Sequence, residues 1–194
     1  MPEPDARLSR YLDLLLAANE RMNLTRIRDR AEAETFHVGD AMALLPHLPE
    51  GDFDMADVGS GGGVPGVPLA IARPLVRVTL VESVGKKAAF LQSVVDELRL
   101  ENVAVVNGRA EALPAKSFDV VTCRAVASMQ KLLVWCRSMI RPGGMLLAMK
   151  GPKLAEELEE ARKTLANQRA TVTTHPYTLG GQTGRVIAKV TYGG

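Results

Sequence analysis

The glycine-rich stretch DVGSGGGVPG, at residues 57–66, constrains the fold of this chain more than any other segment. It follows an apolar run at 53–58 and precedes a helix-compatible segment at 67–73. Glycines between a strand and a helix let the backbone adopt positive φ and approach a ligand closely, and the helix start adds unpaired N–H groups. The spacing satisfies both GxGxG from Gly59 and GxGxxG from Gly61, so it predicts a nucleoside-cofactor loop without choosing the cofactor.

Beyond residue 53, short apolar strands alternate with helices. Strands are predicted at 53–58, 76–81, 103–106, 118–123 and 145–149, and helices at 67–73, 85–99, 128–140 and 154–168, with a Pro-Gly-Gly turn at 142–144. This alternation indicates an α/β fold with a parallel sheet covered by helices on both faces. The final two strands, 171–179 and 185–192, have no helix between them, so the last must run antiparallel to its neighbour.

The first 50 residues are predicted to form a helical cap over that sheet. Leucines at 8, 12, 15 and 16 have helical spacing, which predicts an amphipathic helix over 8–22, and a second helix is expected over 31–45. Two helices cannot bury their apolar faces alone. We therefore divide the chain into a cap at 1–50 and a sheet domain at 51–194.

Composition favours one globular domain and excludes several classes of protein. Apolar residues make up 46% of the 194 positions, but no apolar run approaches the ~20 residues of a membrane span. The N-terminal decapeptide lacks the apolar segment of a secretory signal, so a cytoplasmic location is expected. Cys123 and Cys136 fit buried reduced thiols, and no His, Cys, Asp and Glu set has metal-ligand spacing.

Charge is unevenly distributed although the net charge is only +2. The segment from Arg124 to Lys153 contains six Lys or Arg residues and no Asp or Glu. Such a segment is compatible with a polyanion-binding surface and equally with a solvated face that lacks acids.

The predicted site lies at the carboxyl ends of the strands, where ligands bind in open parallel sheets. Glu82 ends the second strand, 23 positions after Gly59, and is expected to accept hydrogen bonds from ribose hydroxyls, with Ser83 beside it. Asp57 either braces the glycine loop or faces the ligand. Ala110 and Glu111 follow the third strand, where they either read an adenine edge or begin a helix.

Several segments together resemble the RsmG (GidB) family of class I S-adenosylmethionine-dependent methyltransferases. They are NLTRIRD at 23–29, HVGDA at 37–41, DVGSGGGVPGVPLAI at 57–71, VESVGKKAAFL at 81–91, CRAVAS at 123–128 and MKG at 149–151. The resemblance covers nearly the whole chain. It departs from the family at Gly39, where a bulky apolar residue is usual, and at Glu82, where aspartate is common.

The resemblance implies a Rossmann-like fold and methylation of guanine N7 in 16S (small-subunit) ribosomal RNA, either naked or within the 30S particle, with S-adenosylhomocysteine as product. No membrane or protein partner is indicated. By resemblance, cofactor contacts fall on Gly59, Val64, Ala110, Glu111 and Arg124, and contacts to RNA or its target base fall on Arg124 and Lys150. The residues themselves add Asp57, Gly61, Gly63, Glu82 and Ser83 to the expected cofactor site.

The fourth loop favours N7 as the target atom. It reads Cys-Arg-Ala-Val rather than the Asn/Asp-Pro-Pro-aromatic sequence that amine methylation requires, and a buried strand cysteine such as Cys123 is mostly inert. The N7 lone pair needs no base, so alignment and a dry site suffice. Because an arginine that grips N7 blocks attack, Arg124 is expected to hold a phosphate or O6 alone. His37 is expected to pack or cap between the helices, and His175 to lie in a strand far from the loops.

Two other functions remain compatible with the sequence. A nicotinamide-dependent dehydrogenase would use Gly61, Gly63 and Gly66, although Pro65 and Pro68 crowd that helix start. A non-catalytic RNA-binding protein with a nucleoside pocket would have little aromatic surface for stacking, since the chain has one Trp, three Tyr and four Phe residues. Binding of S-adenosylmethionine, NAD or neither distinguishes the three.

Overall fold

A computed structural model describes residues 6–193, in which seven strands form one mixed sheet. The strands, numbered in chain order, are β1 Asp54–Val58, β2 Arg77–Glu82, β3 Val103–Asn107, β4 Phe118–Arg124, β5 Ile140–Lys150, β6 Ala170–Leu179 and β7 Gln182–Tyr192. The α-helices are α1 Ala6–Met22, α2 Arg30–Ala33, α3 Asp40–Met42, α4 Gly66–Ala72, α5 Gly85–Leu98, α6 Met129–Cys136, α7 Leu154–Glu160 and α8 Arg162–Asn167.

The sheet order is β3-β2-β1-β4-β5-β7-β6. Strands β1 to β5 pair in parallel, while β7 runs antiparallel to both β5 and β6. The predicted α/β class and the predicted antiparallel last strand are confirmed. The order reverses at β1, so the loops after β1, β2 and β4 meet at one edge, where a ligand site is expected.

The predicted Pro-Gly-Gly turn is a bulge within a longer β5 rather than a break before it. The pairing of β4 with β5 shifts register between Phe118 and Val120. Gly143 has φ +79°, and a Cβ added to Gly144 would lie 2.7 Å from the carbonyl oxygen of Asp119. Glycine therefore lets the strand continue where a turn is predicted.

The second predicted helix, 31–45, is not continuous. It begins as α2, widens into a π-helix at Glu34–Gly39, returns to α-helix in α3 and ends as a 3₁₀ turn at Leu45–His47. A Cβ at Gly39 would lie 3.1 Å from Leu179 Cδ1, so the small residue lets β6 approach this segment. The widened turn directs His37 and Asp40 into the interior, where both are buried.

The core of the cap is continuous with the core of the sheet domain. Tyr11, Leu12 and Leu15 of α1 pack in the same buried cluster as Val67 of α4 and Leu91 of α5. The division at residue 50 stays a prediction, and residues 1–5 lie outside the described part. Within residues 6–193, no helix combines the length and the apolar character that crossing a membrane requires.

Candidate active site

The glycine loop turns over the carboxyl end of β1 and is tied to β2. The backbone N–H groups of Gly59 and Ser60 donate to the carbonyl of Val81 at 2.9 and 3.1 Å. Gly59, Gly61 and Gly63 have φ of +71°, +55° and +98°, which only glycine adopts readily. The loop therefore depends on these three glycines.

Glu82 holds this loop with both carboxylate oxygens. Oε2 accepts the N–H of Gly61 at 2.9 Å, and Oε1 accepts the N–H of Val84 at 2.8 Å. The side chain is buried, yet it lines the adjoining cavity. Since a carboxylate oxygen has two lone pairs, Glu82 retains acceptor capacity toward a ligand.

Two cavities flank the loop at the strand ends. The glycine-loop cavity, about 330 Å³, is lined by Gly59, Gly61, Val64, Glu82, Ser83 and Arg124 among others. The tryptophan cavity, about 300 Å³, is lined by Gly59, Ser83, Ala110, Glu111 and Trp135 among others. Val126 borders both cavities, and a Cβ at Gly59 would lie 2.6 Å from its Cγ2. Together the cavities offer room on both sides of Gly59 for an elongated ligand.

Two residues predicted at the cofactor site, Asp57 and Gly63, line neither cavity. Asp57 is buried, with Oδ2 accepting the N–H of Gly66 at 3.1 Å and Oδ1 accepting the hydroxyl of Thr122 at 3.1 Å. Burial raises the pKa of Asp57 to about 6. Asp57 is thus a brace, the first of its two sequence-based alternatives. A Cβ on Gly63 would lie 2.8 Å from Val67 Cγ2, so this glycine of the loop permits close packing against α4.

Arg124 lines the glycine-loop cavity but is already bound within the protein. Its Nη1 donates to the Phe36 carbonyl and to Asp40 Oδ2, both at 2.9 Å, and Nη2 lies 3.2 Å from His37 Nδ1. Asp40 Oδ1 also accepts from Tyr177 and Arg185, at 2.6 and 3.0 Å. One buried carboxylate therefore serves two arginines and joins the cap to β4, β6 and β7.

Lys150 is also paired. Its Nζ lies 2.6 Å from Glu157 Oε2 and donates to the Ala127 carbonyl at 2.9 Å. It borders a third space of about 630 Å³, the Lys150 cavity, which Arg124, Lys153 and Arg185 also line. The structure thus brings Arg124 and Lys150 together beside the glycine-loop cavity, each with a carboxylate partner.

His37 is buried, as packing predicts, but it also lies at the candidate site. It lines the glycine-loop cavity, contacts Arg124 and is buried, and burial together with the Arg124 charge lowers its pKa to about 4. The HVGDA segment carried the signal, since His37 and Asp40 lie three positions apart on one helical face. His175 lies in β6 as predicted, with its ring centroid 4.4 Å from that of His47.

Other residues at the site gave no signal in the sequence. The hydroxyl of Tyr11, a fully buried residue of α1, donates to the Gly62 carbonyl at 2.8 Å and so braces the loop from the cap. Val126 and Trp135, the single tryptophan, line the tryptophan cavity from the segments that follow β4. Helical periodicity predicts which side of α1 is buried but not a hydroxyl contact to a loop 51 residues away.

Thiol and metal chemistry find no support at this site. Cys123 and Cys136 are free and buried, and burial raises the pKa of the Cys136 thiol to about 12. Burial likewise raises the pKa of Cys123. In the part of the chain that the structure describes, no three His, Cys, Asp or Glu residues are grouped as metal ligands.

Comparison with solved structures identifies the fold. The O-methyltransferase from Bacillus cereus in complex with SAH matches with a TM-score of 0.66 at 17% identity, over 98% of this chain and 93% of that one. A SAM-dependent methyltransferase from Aquifex aeolicus matches with a TM-score of 0.63 at 17% identity, over 87% and 96%. The predicted Rossmann-like methyltransferase fold is confirmed.

Sequence comparison identifies the family. The protein named ribosomal RNA small subunit methyltransferase G from Sorangium cellulosum is 46% identical over 188 residues, covering 94% of this chain and 77% of the relative. The protein of the same name from Neisseria meningitidis serogroup A is 48% identical over 145 residues, covering 75% and 70%. The family model GidB, rRNA small subunit methyltransferase G, matches residues 5–184. The chain therefore belongs to the GidB family of rRNA small subunit methyltransferases.

Proposed function

We propose that this protein transfers a methyl group from S-adenosylmethionine to N7 of a guanine in 16S (small-subunit) ribosomal RNA. The observation that carries the proposal is the pair of cavities on either side of Gly59, at the carboxyl ends of β1 and β2, in a chain of the GidB family. Two adjoining spaces suit a cofactor with a nucleoside at one end and an amino acid at the other.

The residues present fit that cofactor. A Cβ at Gly61 would find its nearest atom, the Gly59 carbonyl oxygen, at 3.8 Å, so glycine leaves this position open to the cavity. Glu82, which lines the glycine-loop cavity, supplies carboxylate acceptors for ribose hydroxyls. Ser83 borders both, while Ala110 and Glu111 border only the tryptophan cavity. When bound, S-adenosylmethionine supplies an electrophilic methyl group.

The protein's own contribution is alignment and exclusion of water rather than proton removal. Leu15, Leu24 and Val64 place apolar side chains around the glycine-loop cavity. His37, the histidine beside it, is neutral at pH 7, because its pKa is about 4. Guanine N7 carries no proton, so its attack needs no general base.

Arg124 acts at the mouth of this cavity. Among the contacts within residues 6–193, both Nη1 hydrogens and one Nη2 hydrogen are engaged, which leaves Nε–H and one Nη2–H for O6 or a phosphate. A bidentate grip on O6 and N7 would occupy the attacking lone pair. Methylation at N7 therefore requires these two donors to hold O6 alone or a phosphate, rather than O6 and N7 together.

Methyl transfer with labelled cofactor tests the proposal. The protein is incubated with methyl-labelled S-adenosylmethionine and small-subunit RNA, naked or in the 30S particle, with large-subunit RNA as control. Label is expected in the small-subunit RNA and not in the large-subunit RNA. Whichever of the naked RNA and the 30S particle accepts more label identifies the form that serves as substrate. The protein is proposed to act on it in the cytoplasm. Calorimetry on the same preparation should show binding of S-adenosylmethionine and none of NAD. Cofactor binding without transfer to any RNA would contradict the proposal.

A further inference from the structure

Three neighbouring surface cavities lie in a row beside the glycine-loop cavity. The Arg28 cavity, about 650 Å³, shares the lining residues Thr25 and Arg26 with the Thr25 cavity of about 870 Å³. The Thr25 cavity shares Arg124 and Arg185 with the Lys150 cavity. We call this row of cavities, from Arg28 to Lys153, the rim groove.

The glycine-loop cavity opens near the middle of the rim groove. Thr25, His37, Arg124 and Ala125 line both the glycine-loop cavity and the Thr25 cavity. A chain lying in the groove would therefore pass directly over the place where the methyl group is delivered. This arrangement suits a polymer substrate better than a small one.

Cations in the middle of the groove have carboxylate partners within the protein, whereas those at its ends do not. Arg124 and Arg185 share Asp40, and Lys150 has Glu157. Arg26, Arg28 and Lys153 are exposed, and no acidic side chain among residues 6–193 lies within ion-pair distance of them. Glu32 is one further acid of the groove, lining the Thr25 cavity. With six cations and three carboxylates the groove carries a net charge of +3.

We propose that the rim groove binds a single-stranded segment of the RNA substrate, with its phosphates on Arg26, Arg28 and Lys153. This inference rests on the proposed function and assigns phosphate binding to residues other than Arg124 and Lys150. Exposed, unpaired cations that neutralise phosphates release the counterions condensed on the RNA. Partly buried, paired cations would first lose their carboxylate partners, at a cost that a phosphate contact has to recover.

A single strand fits this geometry because of where N7 lies. In an RNA duplex N7 faces the deep, narrow major groove, which side chains do not enter. Only a base displaced from stacking reaches a cavity enclosed by Leu15, Val64 and His37. Aromatic stacking contributes little, since Phe36 of the groove already faces Arg185, whose guanidinium carbon lies 5.1 Å from the ring centroid. Charge therefore dominates, and strong salt dependence follows.

Fluorescence anisotropy with a labelled RNA strand tests the groove. A strand of about 12 nucleotides lies in the range of single-strand binding sites. Arg26→Ala, Arg28→Ala and Lys153→Ala are each expected to weaken binding and to reduce the slope of log affinity against log salt by about 0.7. Lys163→Ala is the matched control, because Lys163 is an exposed cation of α8 that borders none of these cavities. Its slope should equal that of the unaltered protein, and a duplex of the same sequence should bind more weakly than the strand.

The groove proposal would be overturned if the three variants kept the salt slope of the unaltered protein. It would also be overturned if Lys163→Ala reduced the slope equally, or if the duplex bound more tightly than the strand. Cofactor calorimetry and methyl transfer on the same preparations separate this from failure of the proposed function. If small-subunit RNA is methylated while the slopes stay unchanged, the groove assignment fails and the function stands. If the slopes fall as expected but no RNA is methylated, the function fails and the RNA-binding groove remains.

Discussion

Asp40 Oδ2 lies 2.9 Å from Arg124 Nη1, and this ion pair joins the cap to the end of β4 beside the cofactor cavities. Asp40 is buried and also accepts from Arg185 and Tyr177 of the terminal strands. The mouth of the site is thus built from three distant parts of the chain around one carboxylate.

Replacing this carboxylate is expected to destabilise the protein strongly. Asp40→Asn leaves Arg124 and Arg185 without a counter-charge, and breaking a buried pair costs about 3–5 kcal/mol. Urea unfolding measures the change. Glu159→Gln is the control, since Glu159 pairs with Arg162 on the surface and an exposed pair contributes about 0–1 kcal/mol. Equal losses in the two variants would show that the Asp40 network does not stabilise the fold.

The Tyr11 hydroxyl is expected to support cofactor binding from outside the cavity. Tyr11→Phe removes its bond to the Gly62 carbonyl, which should cost about 1 kcal/mol of stability and weaken cofactor binding by loosening the loop. Tyr192→Phe is the matched control, because the buried Tyr192 hydroxyl has no hydrogen-bond partner among residues 6–193. Calorimetry with S-adenosylhomocysteine should therefore separate the two variants. Identical affinities would mean that α1 does not influence the loop.

Gly61 and Gly143 allow backbone strain to be separated from ligand exclusion. Both have positive φ, +55° and +79°, and a Cβ on either meets no atom closer than 3.8 Å. Alanine at either position should cost about 1–2 kcal/mol of stability from the left-handed backbone. Only Gly61→Ala places a methyl group beside the cofactor, so only this variant should lose cofactor affinity. The expected loss is tenfold or more, because a steric conflict of roughly 1.4 kcal/mol lowers affinity tenfold. Equal cofactor affinities would contradict the placement of the ligand.

Asp57 should give the unfolding free energy a specific pH dependence. Burial raises its pKa from an ordinary value of 3.8 to about 6, so between these values the folded state holds a proton that the unfolded state releases. Stability from this group is present below pH 3.8 and is lost as pH rises through 6, by about 3 kcal/mol. Asp57→Asn has no titrating group at this position and does not undergo this loss. The free energy of unfolding of the variant, measured in urea relative to that of the unaltered protein, should therefore be larger at pH 7 than at pH 4. A constant difference across that range would show that the pKa of Asp57 is not raised.

The sheet could be predicted from sequence because buried parallel strands read as short apolar runs bounded by glycine and acid signals. The π-helix at Glu34–Gly39 could not be predicted, because residues 31–45 are compatible with one continuous helix and the close approach of Leu179 of β6 to Gly39 is a contact between distant parts of the chain. The position of His37 at the cavity was missed with it.

The charge pattern shows the limit of sequence reasoning about the site. The acid-free segment from Arg124 to Lys153 predicts an open basic surface, but its acidic partners come from elsewhere in the chain. Arg124 pairs with Asp40, Arg141 with Asp54 and Asp119, and Lys150 with Glu157. Local net charge cannot reveal pairing across the fold. The glycine loop and Glu82 were predictable because their chemistry depends on neighbours in sequence and on one adjacent strand.

Methyl transfer to guanine N7 is expected to proceed without a general base. The measurement is rapid-quench methyl transfer at saturating cofactor and small-subunit RNA, followed by N7-specific strand scission of the product. We expect scission at a guanine and a single-turnover rate nearly flat from about pH 6.5 to 8.5, because His37 has a pKa of about 4 and N7 carries no proton. A methylated product that resists scission, or a rate that rises about tenfold per pH unit in that window, as removal of a proton by a titrating base predicts, would contradict it.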